Sequence, residues 1–185
     1  MGFYDLSEAE RIALTRKAIA EHRTLIERWG VLELPEAAPW NERAALASAL
    51  LANCASVADL GCGRMWLERH LKPSTQYLPV DVVARDDRTI VVDLNQQPLP
   101  ALNVEGWAAL GLLEYLFDVP SLFRDMSRTV VTSYNPVDLG NERRLSHAWI
   151  NAYDTLELEA VFVGAGWSIV ERATLGSQRV WKLVK

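Results

Sequence analysis

The sequence predicts an α/β fold, a mainly parallel twisted sheet with helices on its faces and an antiparallel hairpin at its C-terminal end. Three observations predict it. From Ala55 onward, short apolar runs of strand type alternate with helix-like segments, the pattern of a parallel sheet covered by helices. The first run, residues 57–63, reads V-A-D-L-G-C-G and carries an acid straight into two glycines, which suits a sharp bend at a strand end. Near the C-terminus, residues 167–172 and 179–184 flank a Gly176-Ser177 turn, and the second run alternates Val180, Lys182 and Val184 with Trp181 and Leu183.

Each element follows from local signals. Ser7-Glu8-Ala9-Glu10 has the S-x-x-E form of a capping box. Ile12, Ile19 and Ile26 then recur every seven residues, with Leu14, Ala18, Leu25 and Trp29 nearby, predicting one long amphipathic helix ended by Gly30. Pro35 and Pro39 mark a linker, and Asn41 is placed to cap a second helix running to about Leu51. A strand to Leu60 follows, then a helix over 65–71, strands over 77–82 and 89–92, and a loop between Asp93 and Gly106. The next strand is expected over 106–110. Pro120 opens a helix through Met126, and 129–133 supplies a fifth strand. Asp154-Thr155-Leu156-Glu157 is a second capping-box sequence, opening a helix to about Val163 that Gly164 and Gly166 stop.

At 185 residues, half of them apolar, the chain suffices for one buried core and is short for two ordinary domains. One domain over 1–185 is expected, with 1–54 as a helical cover and 55–185 as the α/β core. Nineteen basic against 24 acidic side chains give a net charge of -5, which argues against affinity by phosphate neutralisation and so against a nucleic-acid partner. The apolar runs fall short of the roughly 20 residues of a membrane span, and the cytoplasm is the expected location. Cys54 and Cys62 lack CxxC or metal-ligand spacing, so both are expected as reduced, packed thiols with no metal site.

The glycine bend narrows the chemistry. A G-x-G-x-x-G fingerprint needs glycine at position 66, where Trp66 stands, and no Lys-Ser or Lys-Thr pair follows to make a phosphate loop. What remains is a tight bend with backbone amides near a ligand and acids, Asp81 and Asp93, at the ends of the next strands. Such acids accept hydrogen bonds from hydroxyl and amine groups.

Taken with Y-L-P-V-D (77–81), V-V-D-L-N (91–95) and L-G-L-L-E-Y-L-F-D (110–118), the V-A-D-L-G-C-G bend resembles the motifs of class I S-adenosylmethionine-dependent methyltransferases. The likeness is nearest to small bacterial members of the type 11 or MetW-like kind and covers roughly residues 55–185. It implies a Rossmann-like sandwich, S-adenosyl-L-methionine as cofactor, and methyl transfer to a small-molecule or glycan acceptor. It places Gly61 and Gly63 beside the methionine and ribose portions, Asp59 near the amino group and Asp81 on the ribose hydroxyls. Asp93 and the Leu94 amide fall to the adenine, and Leu110, Gly111 and Glu114 to the sulfonium side. Met65 replaces the family's third glycine, and a bulky side chain at that bend is expected to reshape the pocket.

The irregular stretch beyond the fifth strand is where sheets of this type build substrate walls. Tyr115, Tyr134, Asn135 and Trp149 are the candidate substrate-binding residues. His147 is the candidate catalytic base, since an imidazole of ordinary pKa, about 6.5, takes a proton at neutral pH. Arg143 and Arg144 form a basic pair suited either to an anionic acceptor or to plain surface. His22 and His70 are expected in solvent, and Leu112, Leu113 and Leu116 in the core. The N-terminal helices either cover the cofactor edge or the acceptor pocket, or pack on the sheet or mediate a homodimer. Two further readings stay open: a non-catalytic module that senses cofactor or binds a protein partner, and a nucleotide-sugar or other nucleotide-binding enzyme.

Overall fold

A computed structural model describes residues 2–30 and 38–185. Its strands are β1 (Ser56–Leu60), β2 (Gln76–Asp81), β3 (Ile90–Val91), β4 (Gly106–Leu110), β5 (Thr129–Tyr134), β6 (Ser168–Leu175) and β7 (Gln178–Val184). They form one seven-stranded sheet in the order β3-β2-β1-β4-β5-β7-β6. The first five pair in parallel, and β7 is antiparallel to both β5 and β6. The hairpin therefore joins the sheet through its second strand, leaving β6 at the edge. Chain order reverses between β1 and β4, so their C-terminal tips border a crevice, the position at which open α/β sheets take ligands.

The helices are α1 (Glu8–Ala20), α2 (Ala38–Leu50), α3 (Val119–Asp125) and α4 (Thr155–Gly164). Both expected capping boxes form: Ser7 with Glu10 on α1, and Asp154 with Glu157 on α4. Asp118 caps α3 through the Ser121 amide, with Pro120 in the first turn, where its missing N–H costs nothing. Strand alternation divides the core between the two faces of the sheet. Trp107 and Ala109 pack with Phe123 of α3 and Phe162 of α4, whereas Ala108 packs with Ala47 of α2 and with Leu51 just beyond it. Each fully buried Phe or Leu of this kind contributes about 1.5 to 3 kcal/mol by leaving water. This two-sided burial rigidly places the β1 and β4 tips.

Three local expectations do not hold. The N-terminal helix stops at Ala20 rather than running to Trp29, because His22 takes a left-handed conformation (φ 49°) and its ring stacks on Phe117 at 4.0 Å. Ile26, the third member of the heptad, is accordingly exposed. No helix forms over 65–71, where consecutive turns replace it, since Gly63 and Met65 both have positive φ and break helical hydrogen bonding at the outset. Asn41 does not cap α2, which begins three residues earlier with Pro39 in its first turn; its Oδ1 instead meets His70 Nε2 at 2.8 Å, so His70 is half-buried rather than solvated. Pro35 lies outside the described residues.

The N-terminal segment is tied across the C-terminal ends of the strands. Arg11 Nε donates to the Ser146 carbonyl at 3.0 Å, and Thr15 Oγ1 to that of Leu145 at 2.9 Å. Among the described residues no helix is long and apolar enough to cross a membrane. Both cysteines are free, Cys62 buried and Cys54 partly so.

Candidate functional site

The bend after β1 is built from backbone. Gly61 and Gly63 have φ of 70° and 51°, values that glycine adopts without penalty. The Gly61 and Cys62 amides donate to the Val80 carbonyl at 2.8 and 3.1 Å, and Gly63 N donates to Asp81 Oδ2 at 2.9 Å. Met65, also left-handed (φ 54°), accepts about 1 to 2 kcal/mol of strain. Its sulfur lies 3.5 Å from Arg88 Nη2, away from the crevice, so the expected reshaping of the pocket by this side chain does not occur.

At the sheet's reversal point lie two adjoining cavities that share Trp29, Gly61, Gly63, Gly111 and Tyr115 as walls. The smaller, about 70 Å³, is bordered by Asp81, Asp93, Leu94, Leu112 and Leu116. The larger, about 300 Å³, is bordered by Asp59, Leu110, Glu114, Asn135 and Trp149. Every residue expected at the cofactor thus meets at one crevice, although these residues come from four separate stretches of the chain. The same larger cavity is also lined by Tyr4, Arg28, Trp40, Arg43, Trp66 and Gln178, which sequence reasoning did not place at the site.

The acids in the smaller cavity are already partly engaged. Asp81 Oδ1 accepts from Val83 N and from Arg85 Nη2, each at 3.1 Å, and Arg85 Nη1 donates to the Trp29 carbonyl at 3.0 Å. Through Arg85, the strand-end acid is therefore linked to the N-terminal cover. Asp93 Oδ1 accepts from Thr24 Oγ1 at 2.6 Å and from Asn95 N at 3.0 Å. A carboxylate offers about four lone-pair positions. Asp81 Oδ2 accepts from Gly63 N at 2.9 Å and, beyond that, has only a weak thiol contact at 3.9 Å, so both acids keep an acceptor position for an incoming hydroxyl or amine.

In the larger cavity burial governs the charges. The Asp59 carboxyl, 4% exposed, is pushed up to about 7 by desolvation, against the opposing Tyr77 hydroxyl bond (2.7 Å) and the nearby Arg43 cation. Burial also raises Glu114, whose Oε1 accepts from Asn135 N and Nδ2 at 3.0 and 2.7 Å, while Oε2 is buried without a partner among the described residues. Burial pulls Arg43 down, but from so high a value that a guanidinium stays charged. Its Nη1 lies only 2.6 Å from where a Cβ on Gly111 would stand, so glycine there makes room for the cation.

Two expected site residues are not brought to this cavity. Tyr134 is fully buried in the core, its hydroxyl held by Asn151 Oδ1 at 2.6 Å, Tyr153 N at 3.0 Å and Arg144 Nη2 at 2.6 Å. His147 lines a separate surface hollow with Asn141 and Arg143, and its ring sits 5.1 Å from that of Trp149, which alone of the two also reaches the cavity. Burial and the Arg11 and Arg28 charges lower its pKa. Arg144 is neither surface nor acceptor contact: it is buried and donates to the Asn135 and Asn151 carbonyls, pinning the loop. Of the missed residues, Trp40 and Arg43 carried a readable signal, being three apart on one helix face. Gln178 carried none, since it meets Arg43 Nη1 at 3.3 Å only through the fold.

No protein-family model matches the sequence, and no curated protein matches it. Solved structures do resemble it. The O-methyltransferase NcsB1 of neocarzinostatin biosynthesis, in complex with S-adenosylmethionine and 2-hydroxy-5-methyl naphthoic acid, aligns with a TM-score of 0.61 at 14% identity over 96% of this chain and 68% of that one. The pyocyanin biosynthetic protein PhzM gives 0.64 at 17% identity over 100% and 62%. An S-adenosylmethionine-dependent methyltransferase from Mesorhizobium loti gives 0.57 at 16% identity over 78% and 100%. The fold is thus the Rossmann-like sandwich that these proteins share.

Proposed function

We propose that the chain is an S-adenosylmethionine-dependent methyltransferase acting on a small molecule. The observation that carries this reading is the convergence at the β1/β4 crevice of a left-handed glycine bend, two strand-end acids with unused acceptor positions, and a second cavity opening from the same glycines. The unused acceptor positions of Asp81 and Asp93 suit the ribose hydroxyls and the adenine amine, with Leu94 and Leu112 as apolar walls. Asp59 and Arg43 would face the amino and carboxylate groups of the methionine portion. When bound, that cofactor supplies a methyl group already activated by its sulfonium.

The protein's own part is then alignment and exclusion of water. Trp29, reached from Asp81 through Arg85, lines both cavities. An acceptor hydroxyl must also lose its proton as the new bond forms. This reading gives that task to Glu114, whose buried, unpartnered Oε2 borders the acceptor side, rather than to His147 in its separate hollow. Placement among small type 11 or MetW-like enzymes is supported by the motif spacing, and a reducing, cytoplasmic setting by the two free thiols.

Isothermal titration with S-adenosylmethionine and S-adenosylhomocysteine tests the reading. Both are expected to bind the wild-type chain, and Asp81→Asn is expected to weaken them by more than about ten-fold, or about 1.4 kcal/mol. Flat titrations of the folded wild type would sink it.

A further inference from the structure

Three arginines line the larger cavity, Arg28, Arg43 and Arg64, and two of them are buried. Arg28 and Arg43 are 4% and 9% exposed, and neither forms an ion pair among the described residues. Among the described residues the Nε of each is buried without a hydrogen-bond partner, and Arg43's one bond is the long contact to Gln178. Burying a guanidinium unpaired costs several kcal/mol. The chain is acidic overall, so a general excess of arginine does not account for the pair. The neighbouring acids, Asp59 and Glu114, form no ion pair with either arginine, and burial raises the pKa of both.

The two arginines divide the cavity. Arg43 lies against Gly111, close enough to Asp59 to influence it, at the end that the reading above gives to the methionine carboxylate. One carboxylate matches one fork. Arg28 belongs to the N-terminal cover and is held by ring faces, 4.4 Å over Trp29 and 4.5 Å over Tyr4, while its N–H edge has no acceptor among the described residues. Three further walls, Trp40, Trp66 and Trp149, are indoles, and the Trp66 N–H is buried without a partner among the described residues. A cavity of about 300 Å³ stands at the small end of ligand sites, enough for one or two rings.

We infer that the acceptor is an aromatic carboxylic acid, its ring between the tryptophans and its carboxylate on Arg28. A planar guanidinium fork matches a carboxylate in two parallel bonds. This inference rests on the methyl-transfer reading for the role of Arg43 and for treating the bound acid as an acceptor, but the recognition it describes can be measured without the donor.

Ligand-observed NMR titrations of the full chain decide it, using 2-hydroxybenzoate and 3-hydroxy-2-naphthoate, each paired with its neutral carboxamide, in the presence of S-adenosylhomocysteine. The acids are expected to bind at least about ten-fold more tightly than the amides, the size of one charge-assisted contact. In Arg28→Gln the preference is expected to vanish, and in Arg28→Lys to return in part, with S-adenosylhomocysteine affinity unchanged in both. Equal binding of acid and amide by the wild type overturns the inference whether or not the variants fold. So does an Arg28→Gln chain that keeps the preference, and so does failure of every acid to bind saturably. If S-adenosylhomocysteine itself does not bind, the donor assignment fails, and the acid–amide comparison made without it still tests the role of Arg28 by itself.

Discussion

Replacing Asp59 by asparagine makes the cost of a buried acid measurable. Asp59 sits on β1 with 4% exposure, and its carboxyl rises from 3.8 to about 7 because desolvation outweighs the Tyr77 bond and the Arg43 charge. The folded protein therefore holds this proton more tightly than the unfolded chain does. Stability contributed by the group is fully present below about pH 4, falls as pH rises toward 7, and is flat above. Between pH 5 and pH 8 the loss is on the order of 3 kcal/mol, two pH units at 1.36 kcal/mol each before the group ionises. The asparagine would keep an oxygen for the Tyr77 hydroxyl, 2.7 Å away in the wild type, and carries no proton to lose. The stability gap between Asp59→Asn and wild type is thus expected to grow in the mutant's favour by about 2 to 3 kcal/mol from pH 5 to pH 8. For a chain of this size that is a shift of roughly 4 to 12 °C in Tm. Urea denaturation of both proteins at the two pH values measures it. The comparison within each protein cancels any packing difference of the asparagine itself, and the parallel slope from Glu114 is common to both. A gap that stays constant across the range would show that Asp59 is ionised in the folded state throughout, and the argument from burial would fail.

Two other outcomes are expected. Gly111→Ala places a Cβ at φ 67° and 2.6 Å from Arg43 Nη1, whereas Gly140→Ala meets a similar φ of 78° with nothing within 4 Å. Both should lose about 1 to 2 kcal/mol to backbone strain, and Gly111→Ala should lose at least about 1 kcal/mol more by displacing a buried cation; equal losses by urea denaturation would mean that Arg43 yields freely. Glu114→Gln retains an oxygen for Asn135 but no longer takes a proton. It should leave S-adenosylhomocysteine affinity within about two-fold while lowering kcat on an aromatic acid acceptor by on the order of 100-fold, and a full rate would remove the base role.

Much of the scaffold was legible because it is encoded locally. Ser7 and Glu10, or Asp154 and Glu157, satisfy each other's backbone amides within one turn, so a four-residue pattern suffices to find a helix start. The strands of 56–60, 106–110 and 129–134 are buried on both sides and read as short, largely apolar runs. Gly61 and Gly63 mark a bend that other residues adopt only with strain. Local signals misled where a backbone angle overrode periodicity, as at His22 and Met65, both left-handed without being glycine.

The sequence by itself determined the α/β class, the sheet's parallel core and hairpin, the glycine bend, and the acids at 59, 81 and 93. Only the tertiary structure decided what surrounds them. Arg28, Arg43, Trp66, Trp149 and Gln178 share one cavity although they span the chain, Arg43 and Gln178 being 135 residues apart. Tyr134 and His147, equally plausible by position, are turned into the core and into a separate hollow. The physical reason is that hydrogen bonding and side-chain alternation act between near neighbours, whereas strand order 3-2-1-4-5-7-6 is a global outcome of packing. That order brings the tips of β1 and β4 together, and with them the N-terminal cover, whose buried arginines await a counter-charge that no local pattern encodes.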